Sequence, residues 1–100
     1  MQDDIIVTVN PILKPLIPGF LQSRKTDLSE ISTALVNRDY ESIRIKGHNM
    51  RGCGTGYGFQ PITDLGAAIE QAATDKDDTT IKNAVNSLTE YLSLVVPVYE

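Results

Sequence analysis

The chain has 100 residues, which is enough for a single domain with a modest hydrophobic core, and it is expected to form one domain over residues 1–100. Its 41% hydrophobic and 22% charged residues are ordinary for a globular protein, but a core of this size argues against a large enclosed substrate pocket. The net charge of −4 and the lack of a basic stripe exclude the surface expected of a nucleic-acid-binding protein.

The first ten residues are predicted to form an arm. Residues 5–9 are a short β-branched run, and no second run of similar quality follows, so an extended arm packed on the body is favoured over a sheet. Asn10 and Pro11 then predict a helix start, with Asn at the cap and Pro at the first helical position. Pro15 and Pro18 interrupt this stretch, which predicts a short first segment and a restart near Pro18.

Two longer helices follow. Apolar residues at helical spacing predict the first of them up to Asn37, and Asp39 is a plausible cap for the next. That second helix carries His48 and is expected to end in a glycine-rich turn at residues 54–58. The apolar positions of the first helix are Phe20, Leu21, Leu28, Ile31 and Leu35, and those of the second include Tyr40, Ile43 and Met50.

Two further helices complete the chain. The third is predicted to start at Gln60 and Pro61, and its apolar face contains Phe59, Ile62, Leu65, Ile69 and Ala73. Residues 75–78 are a polar loop, and Asp78 or Thr79 is expected to cap a fourth helix that ends near Pro97. The apolar face of that helix contains Ile81, Val85, Leu88, Leu92 and Val95. Short connections between four helices predict an all-α fold: an antiparallel up-down bundle over residues 11–97, with an arm at 1–10 and no sheet.

Residues 47–59 combine one histidine, one arginine and several glycines within a predicted helix, although glycine costs about 1 kcal/mol relative to alanine inside a helix. At about 100° per residue, Arg51 lies roughly 60° to one side of His48 and Gly52 about 40° to the other. His48, Arg51 and Gly52 are therefore predicted to form one surface patch. A different, core-facing side contains Ile43, Gly47, Met50 and Gly54, of which the glycines are expected to let a neighbouring helix approach closely.

An open histidine with a cation one turn away suits phosphoryl transfer. Neutral imidazole is a nucleophile near pH 7, and Arg51 can partly balance the charge of a phosphohistidine. The gap at Gly52 leaves room for a second protein beside His48. Taken alone, a single histidine with arginine at i+3 is more typical of a solvated helix face without chemistry. Cys53, roughly 140° from His48, is expected to be a small structural residue.

The His48 segment resembles the histidine phosphotransfer (HPt) domain family. That family's motif is His-x-x-Lys-Gly followed by a glycine-rich helix end, and here it stands as His48-Asn49-Met50-Arg51-Gly52 and then Tyr57-Gly58-Phe59. Ala34-Leu35 and Asp39-Tyr40 upstream are also similar to the family. The resemblance covers roughly residues 15–95.

The resemblance implies a phosphocarrier without its own kinase activity. Such domains exchange phosphate between a histidine, here His48, and the aspartate of a receiver domain, which belongs to a response regulator or a hybrid sensor histidine kinase. The receiver supplies magnesium, so no cofactor or metal of the chain's own is expected. The expected protein is a monomer without nucleic-acid or membrane partners, and the sequence contains no nucleotide-binding loop.

Two positions depart from the family pattern, and a third matches it. Arg51 replaces the usual lysine, which keeps the charge but changes its shape. Ile45 is apolar where the family is usually polar, and it is expected either to contact a docking partner or to contact the N-terminal arm. By resemblance, Glu70 on the third helix lies near the imidazole and orients it, and the alternative is a glutamate that faces solvent.

Two other functions remain open from the sequence. One is an adaptor that docks receiver domains without transferring phosphate, and the other is a structural four-helix interaction module. The open space expected at Gly52 beside His48 argues against the adaptor. The glycines around His48 argue against the structural module, because such a module would not explain them. The acidic N-terminus lacks the basic region of a signal peptide, and the apolar runs are too short to span a bilayer, so a cytoplasmic location is expected.

Overall fold

The structure, a computed structural model, describes residues 4–100 and is mostly helical. Residues 1–3, which belong to the predicted arm, lie outside the described residues. The elements are β1 (Ile5–Val9), a 3-10 helix (Pro11–Leu16), α1 (Ile17–Val36), α2 (Tyr40–Cys53), a 3-10 turn (Thr55–Tyr57), α3 (Gln60–Thr74), α4 (Asp78–Leu94) and β2 (Val95–Tyr99). Within residues 4–100, no helix is both long and apolar enough to cross a membrane.

The four helices surround one core. Each helix packs on the next in sequence, and α1 also packs on α4, so that the contacts close into a ring. The most extensive helix–helix interface is the one between α2 and α3. Most apolar positions predicted from helical spacing are buried, and the others are partly buried and pack against the core: Leu21, Leu35, Tyr40, Leu65, Val85 and Val95. The fully buried large side chains are Val9, Ile17, Ile31, Ile43, Met50, Phe59, Ile62, Ile69, Ile81 and Leu88.

The helix starts follow the capping residues closely. Asn10 accepts a hydrogen bond from the Ile12 backbone N–H, and α1 restarts with Pro18 in its first turn, as predicted. Asp39 caps α2 through the Ser42 side chain and N–H, and these hydrogen bonds hold the pKa of Asp39 below its usual value.

The predicted cap of α4 is wrong by one residue. Asp77, not Asp78 or Thr79, caps this helix by accepting from the Thr80 N–H at 3.1 Å. Asp78 is the first residue of α4, and its carboxylate instead accepts a 2.6 Å hydrogen bond from the Tyr40 hydroxyl. The start of α4 is thereby tied to the start of α2.

The prediction of a fold without a sheet is wrong at the two ends of the chain. The predicted arm, β1, pairs in parallel with β2, with Ile5 opposite Val95 and Val9 opposite Tyr99. α4 ends at Leu94, so the helical part stops before residue 97 and Val95 belongs to the strand. The run Val-Val-Pro-Val-Tyr contains a proline, which is uncommon within a strand.

Hydrogen-bond direction explains why the proline is tolerated. The Glu100 N–H donates to the Val9 carbonyl at 3.3 Å, which fixes which residues of β2 face β1. Because backbone groups alternate in direction along a strand, those of Pro97 point away from β1. The missing N–H of Pro97 therefore removes no bond from the ladder.

One buried hydroxyl yields a stability prediction. Among residues 4–100, the Tyr91 hydroxyl has no hydrogen-bond partner, although the residue is buried. An unsatisfied buried hydroxyl costs about 1–3 kcal/mol, so Tyr91→Phe is expected to raise the free energy of unfolding by about 1 kcal/mol. Urea denaturation of both proteins measures this. A loss of stability in Tyr91→Phe would show that the hydroxyl has a partner in solution.

Candidate functional site

Three glycines allow α2 and α3 to approach each other closely. A Cβ at Gly47 would lie 2.6 Å from the Glu70 backbone nitrogen, and one at Gly54 would lie 2.5 Å from the Thr63 nitrogen. Real Cβ atoms essentially never come within 3.0 Å of such atoms, so both positions require glycine. The predicted packing role of Gly47 and Gly54 is confirmed.

Gly66 completes this interface from the side of α3, although this role was not predicted from the sequence. A Cβ at Gly66 would lie 2.6 Å from both the Arg51 nitrogen and the Met50 Cβ. Gly66 shares a helix face with Ile62 and Ile69, both of which are buried. Its position on that apolar face, facing the glycines of α2, is the signal that could have identified it.

The close approach places Glu70 beside His48. The Glu70 backbone lies against Gly47, the residue that precedes His48, and the Glu70 Oε2 atom lies 3.0 Å from His48 Nδ1. The His48 side chain is 57% exposed, whereas that of Glu70 is 18% exposed. Glu70 therefore does not face solvent freely, and it contacts the imidazole from the side of α3.

Arg51 closes a triangle with these two residues, and we call the three residues the His48–Arg51–Glu70 cluster. Arg51 Nη1 lies 3.1 Å from Glu70 Oε1, and Arg51 Nη2 lies 3.2 Å from His48 Nδ1. One nitrogen cannot donate to Glu70 and accept from Arg51 at once. With the ring proton on Nδ1, His48 donates a hydrogen bond to the Glu70 carboxylate at 3.0 Å, and with the proton on Nε2, Nδ1 accepts from Arg51 Nη2 at 3.2 Å.

The position of the ring proton determines which nitrogen of His48 carries the free lone pair. A neutral imidazole with its proton on Nδ1 has the free lone pair on Nε2. Nδ1 is occupied by Glu70, while the side chain as a whole is exposed. In the Nδ1–H tautomer, Nε2 is the ring nitrogen with a free lone pair.

Gly52 leaves open space beside His48. A Cβ placed on Gly52 meets no atom within 4 Å, and its backbone conformation is not one that requires glycine. Gly56, in the turn after α2, is equally open, whereas Gly58 has a φ of +95° that favours glycine. From the sequence, Gly56 was expected only to be one of the glycines that end α2, and its openness was not predicted. Neither Gly52 nor Gly56 is needed for packing.

The other residues considered from the sequence lie outside this cluster. Ile45 is 46% exposed on the flank of the His48 face, while the N-terminal arm pairs with β2 and lies near Gly58. Cys53 is half-buried, and its sulfur accepts a hydrogen bond from Arg24 Nη1 at 3.2 Å. This contact joins α1 to the end of α2, as expected of a structural residue. Among residues 4–100, no group of three or more His, Cys, Asp or Glu is arranged to hold a metal ion.

Comparison of the chain with family models, with curated proteins and with solved structures finds no match. The function is therefore inferred from the residues and their geometry, above all from the His48–Arg51–Glu70 cluster and the open space at Gly52.

Proposed function

We propose that this chain is a histidine phosphotransfer protein that accepts and donates a phosphoryl group on His48. The observation that carries the proposal is an exposed imidazole whose Nδ1 is held by Glu70, leaving Nε2 free beside an open glycine. A surface histidine without a chemical role would need neither the partly buried Glu70 carboxylate beside it nor the open space at Gly52. The proposal includes an antiparallel up-down arrangement of the four helices, a cytoplasmic location and a monomeric state.

The reaction is an exchange between two protein side chains. The Nε2 lone pair of His48 attacks the phosphorus of an aspartyl phosphate on a receiver domain, and the bond between phosphorus and the aspartate oxygen breaks. The aspartate leaves as a carboxylate, and the phosphoryl group is now bonded to Nε2. The reverse reaction returns it to a receiver aspartate. The receiver supplies the magnesium ion that balances the charge of the phosphoryl group in transit.

The negative charge of the Glu70 carboxylate assists phosphoryl transfer. When Nε2 forms its bond to phosphorus, the ring keeps the proton on Nδ1 and becomes positively charged. The carboxylate 3.0 Å from Nδ1 stabilises this charge as it develops. It also holds the ring in one orientation, so that Nε2 faces the incoming phosphorus.

The exposed surface around His48 suits a protein partner. The side chain projects from the middle of α2, and no side chain at Gly52 obstructs an approach along the helix. Ile45 gives this face an exposed apolar contact on the flank of the histidine. A receiver domain is therefore the partner that we propose, and a free nucleotide is not.

The test is phosphorylation by a phosphorylated receiver domain. Purified chain is incubated with a set of receiver domains labelled with radioactive phosphate, and label is expected to move to the chain in an acid-labile, alkali-stable form. With labelled ATP in place of the receivers, no label is expected. Binding without transfer would support the adaptor instead, and neither binding nor transfer across the receivers of one genome would support a structural module. Labelling from ATP alone would contradict the absence of kinase activity.

A further inference from the structure

A groove runs along the surface between α1 and α4. These two helices meet through the smallest of the four helix–helix interfaces of the ring, and two open depressions of about 400 and 370 Å³ lie between them. Ser32 and Val85 line both depressions, so the two form one continuous groove, which we call the α1–α4 groove. Its α1 wall extends from Lys25 to Val36, which is about 16 Å along the helix.

The α1–α4 groove is largely apolar. The buried or half-buried side chains that line it are those of Leu28, Leu35, Val85 and Leu92. Two of the hydroxyls beside them are satisfied within α4: Thr89 donates to the Val85 carbonyl at 2.8 Å, and Ser93 donates to the Glu90 carbonyl at 2.7 Å. These hydroxyls therefore need no polar partner in the groove, and the side chains that carry them are small enough for close approach.

The shape of the groove favours a helix as its occupant. Lys25, Leu28, Ser32 and Leu35 recur every three or four residues, so they form one face of α1 along the length of the groove. A helix laid against such a face can interdigitate its own side chains, and its backbone hydrogen bonds are satisfied internally. An extended peptide would place unpaired backbone groups on an apolar surface, since none of the lining residues belongs to a strand that could pair with it.

Two lysines determine the charge of the groove, one towards each end. Lys25 lines the first depression and Lys82 the second, and among residues 4–100 neither forms an ion pair. The one carboxylate among the lining residues, that of Asp78, already accepts a hydrogen bond from the Tyr40 hydroxyl at 2.6 Å. In a chain with a net charge of −4, the groove thus presents two cations that acidic groups of a ligand would complement.

We propose that the α1–α4 groove binds an amphipathic helix of a partner protein, with apolar side chains on the groove and acidic side chains near Lys25 and Lys82. A second copy of this chain fits less well. Whichever way it ran along the groove, it would bring Lys25 against Lys25 or against Lys82, and like charges at an interface disfavour binding.

This site is separate from the one proposed for phosphoryl transfer. No residue of the His48–Arg51–Glu70 cluster lines the groove, and the cluster belongs to α2 and α3, the other two helices of the ring. A helix in the groove and a receiver domain at His48 can therefore be bound at the same time. The helix-binding site does not depend on whether His48 transfers phosphate.

The experiment is a selection on the purified chain from a displayed library of random peptides of about sixteen residues, which span about 24 Å as a helix. The enriched peptides are expected to have apolar residues at helical spacing and acidic residues near both ends. One enriched peptide is then synthesised, and its binding is measured by fluorescence anisotropy. Its contacts are located by NMR, in which the shifted backbone amides should belong to α1 and α4.

Substitutions in the groove test the two features that define it. Lys25→Glu and Lys82→Glu each remove an attraction and add a repulsion, so each is expected to weaken binding of the peptide about tenfold. Ser32→Gln places a larger side chain where the two depressions meet, and it is also expected to weaken binding about tenfold or more. Lys14→Glu is the matched control: it changes the net charge equally but lines neither depression, and it should bind as wild type does.

Several results would overturn the proposal. These are no enrichment of any peptide, enrichment of basic peptides, amide shifts confined to α2 and α3, or wild-type affinity in all three groove variants. Self-association of the chain that is lost in Ser32→Gln would show that a second copy occupies the groove instead. Peptide binding with the expected losses supports the proposal even if no receiver phosphorylates His48. Melting temperatures verify that the variants are folded, as expected for substitutions at exposed residues.

Discussion

Replacing His48 with glutamine is expected to remove all phosphoryl transfer while leaving the fold intact. His48 is the only histidine of the chain, and its side chain is 57% exposed. Glutamine retains a polar side chain of similar length for contact with Glu70, but its amide nitrogen has no nucleophilic lone pair. Incubation with a phosphorylated receiver should give acid-labile label on the wild-type chain and none on His48→Gln, with little change in melting temperature.

A neighbouring substitution controls for indirect effects. Asn49 is also exposed on α2, and Asn49→Gln should preserve both labelling and stability. Label that persists on His48→Gln, or that is stable to acid and therefore lies on serine or threonine, would show that the phosphate acceptor is a different residue. Equal binding of the receiver by wild type and His48→Gln is expected, because docking and transfer involve different atoms.

The helices were predictable because their signals are local. Asn10, Asp39 and Pro61 each favour a helix start through their own side chains, and the structure has starts at these points. The pairing of β1 with β2 was not predictable in this way. It depends on contact between the two ends of the chain, and Pro97 is acceptable only because its backbone points away from the other strand.

The same distinction applies to the candidate site. His48, Arg51 and Gly52 lie within two turns of one helix, so their common face follows from helix geometry alone. Glu70 lies 22 residues from His48 in sequence, and its position depends on how closely α3 approaches α2. The sequence indicated it only through the family resemblance. The contact between Arg51 and Glu70 was not predicted, because it depends on the register set by Gly47 and Gly66.

Glutamine at Gly52 and glutamine at Gly54 are expected to have opposite consequences, although the two positions are two residues apart. A Cβ at Gly54 would lie 2.5 Å from the Thr63 nitrogen, which is backbone and cannot move without shifting α3. Overpacking of this kind typically costs about 1–3 kcal/mol. For a domain of about 100 residues, each kcal/mol lowers the melting temperature by about 4–8 °C. Gly54→Gln should therefore melt clearly below wild type.

Gly52→Gln should instead keep or raise the melting temperature, because a Cβ there meets no atom within 4 Å and glutamine favours a helix by up to about 1 kcal/mol over glycine. Its side chain would occupy the space through which the partner reaches His48. Displacing reacting groups by about 1 Å can slow a reaction about 100-fold, so a large loss of transfer is expected in a well-folded protein.

Gly56→Gln tests whether the surface on which an added side chain reduces transfer extends beyond Gly52. Gly56 is as open as Gly52, but it lies in the turn after α2, eight residues from His48, so its substitution should preserve stability and reduce transfer less. Thermal denaturation and the receiver transfer assay are measured on all three variants. Unchanged transfer in a folded Gly52→Gln would contradict the prediction that the partner reaches His48 through the open space at Gly52. A loss of stability at Gly52 equal to that at Gly54 would show that Gly52 is a packing glycine after all.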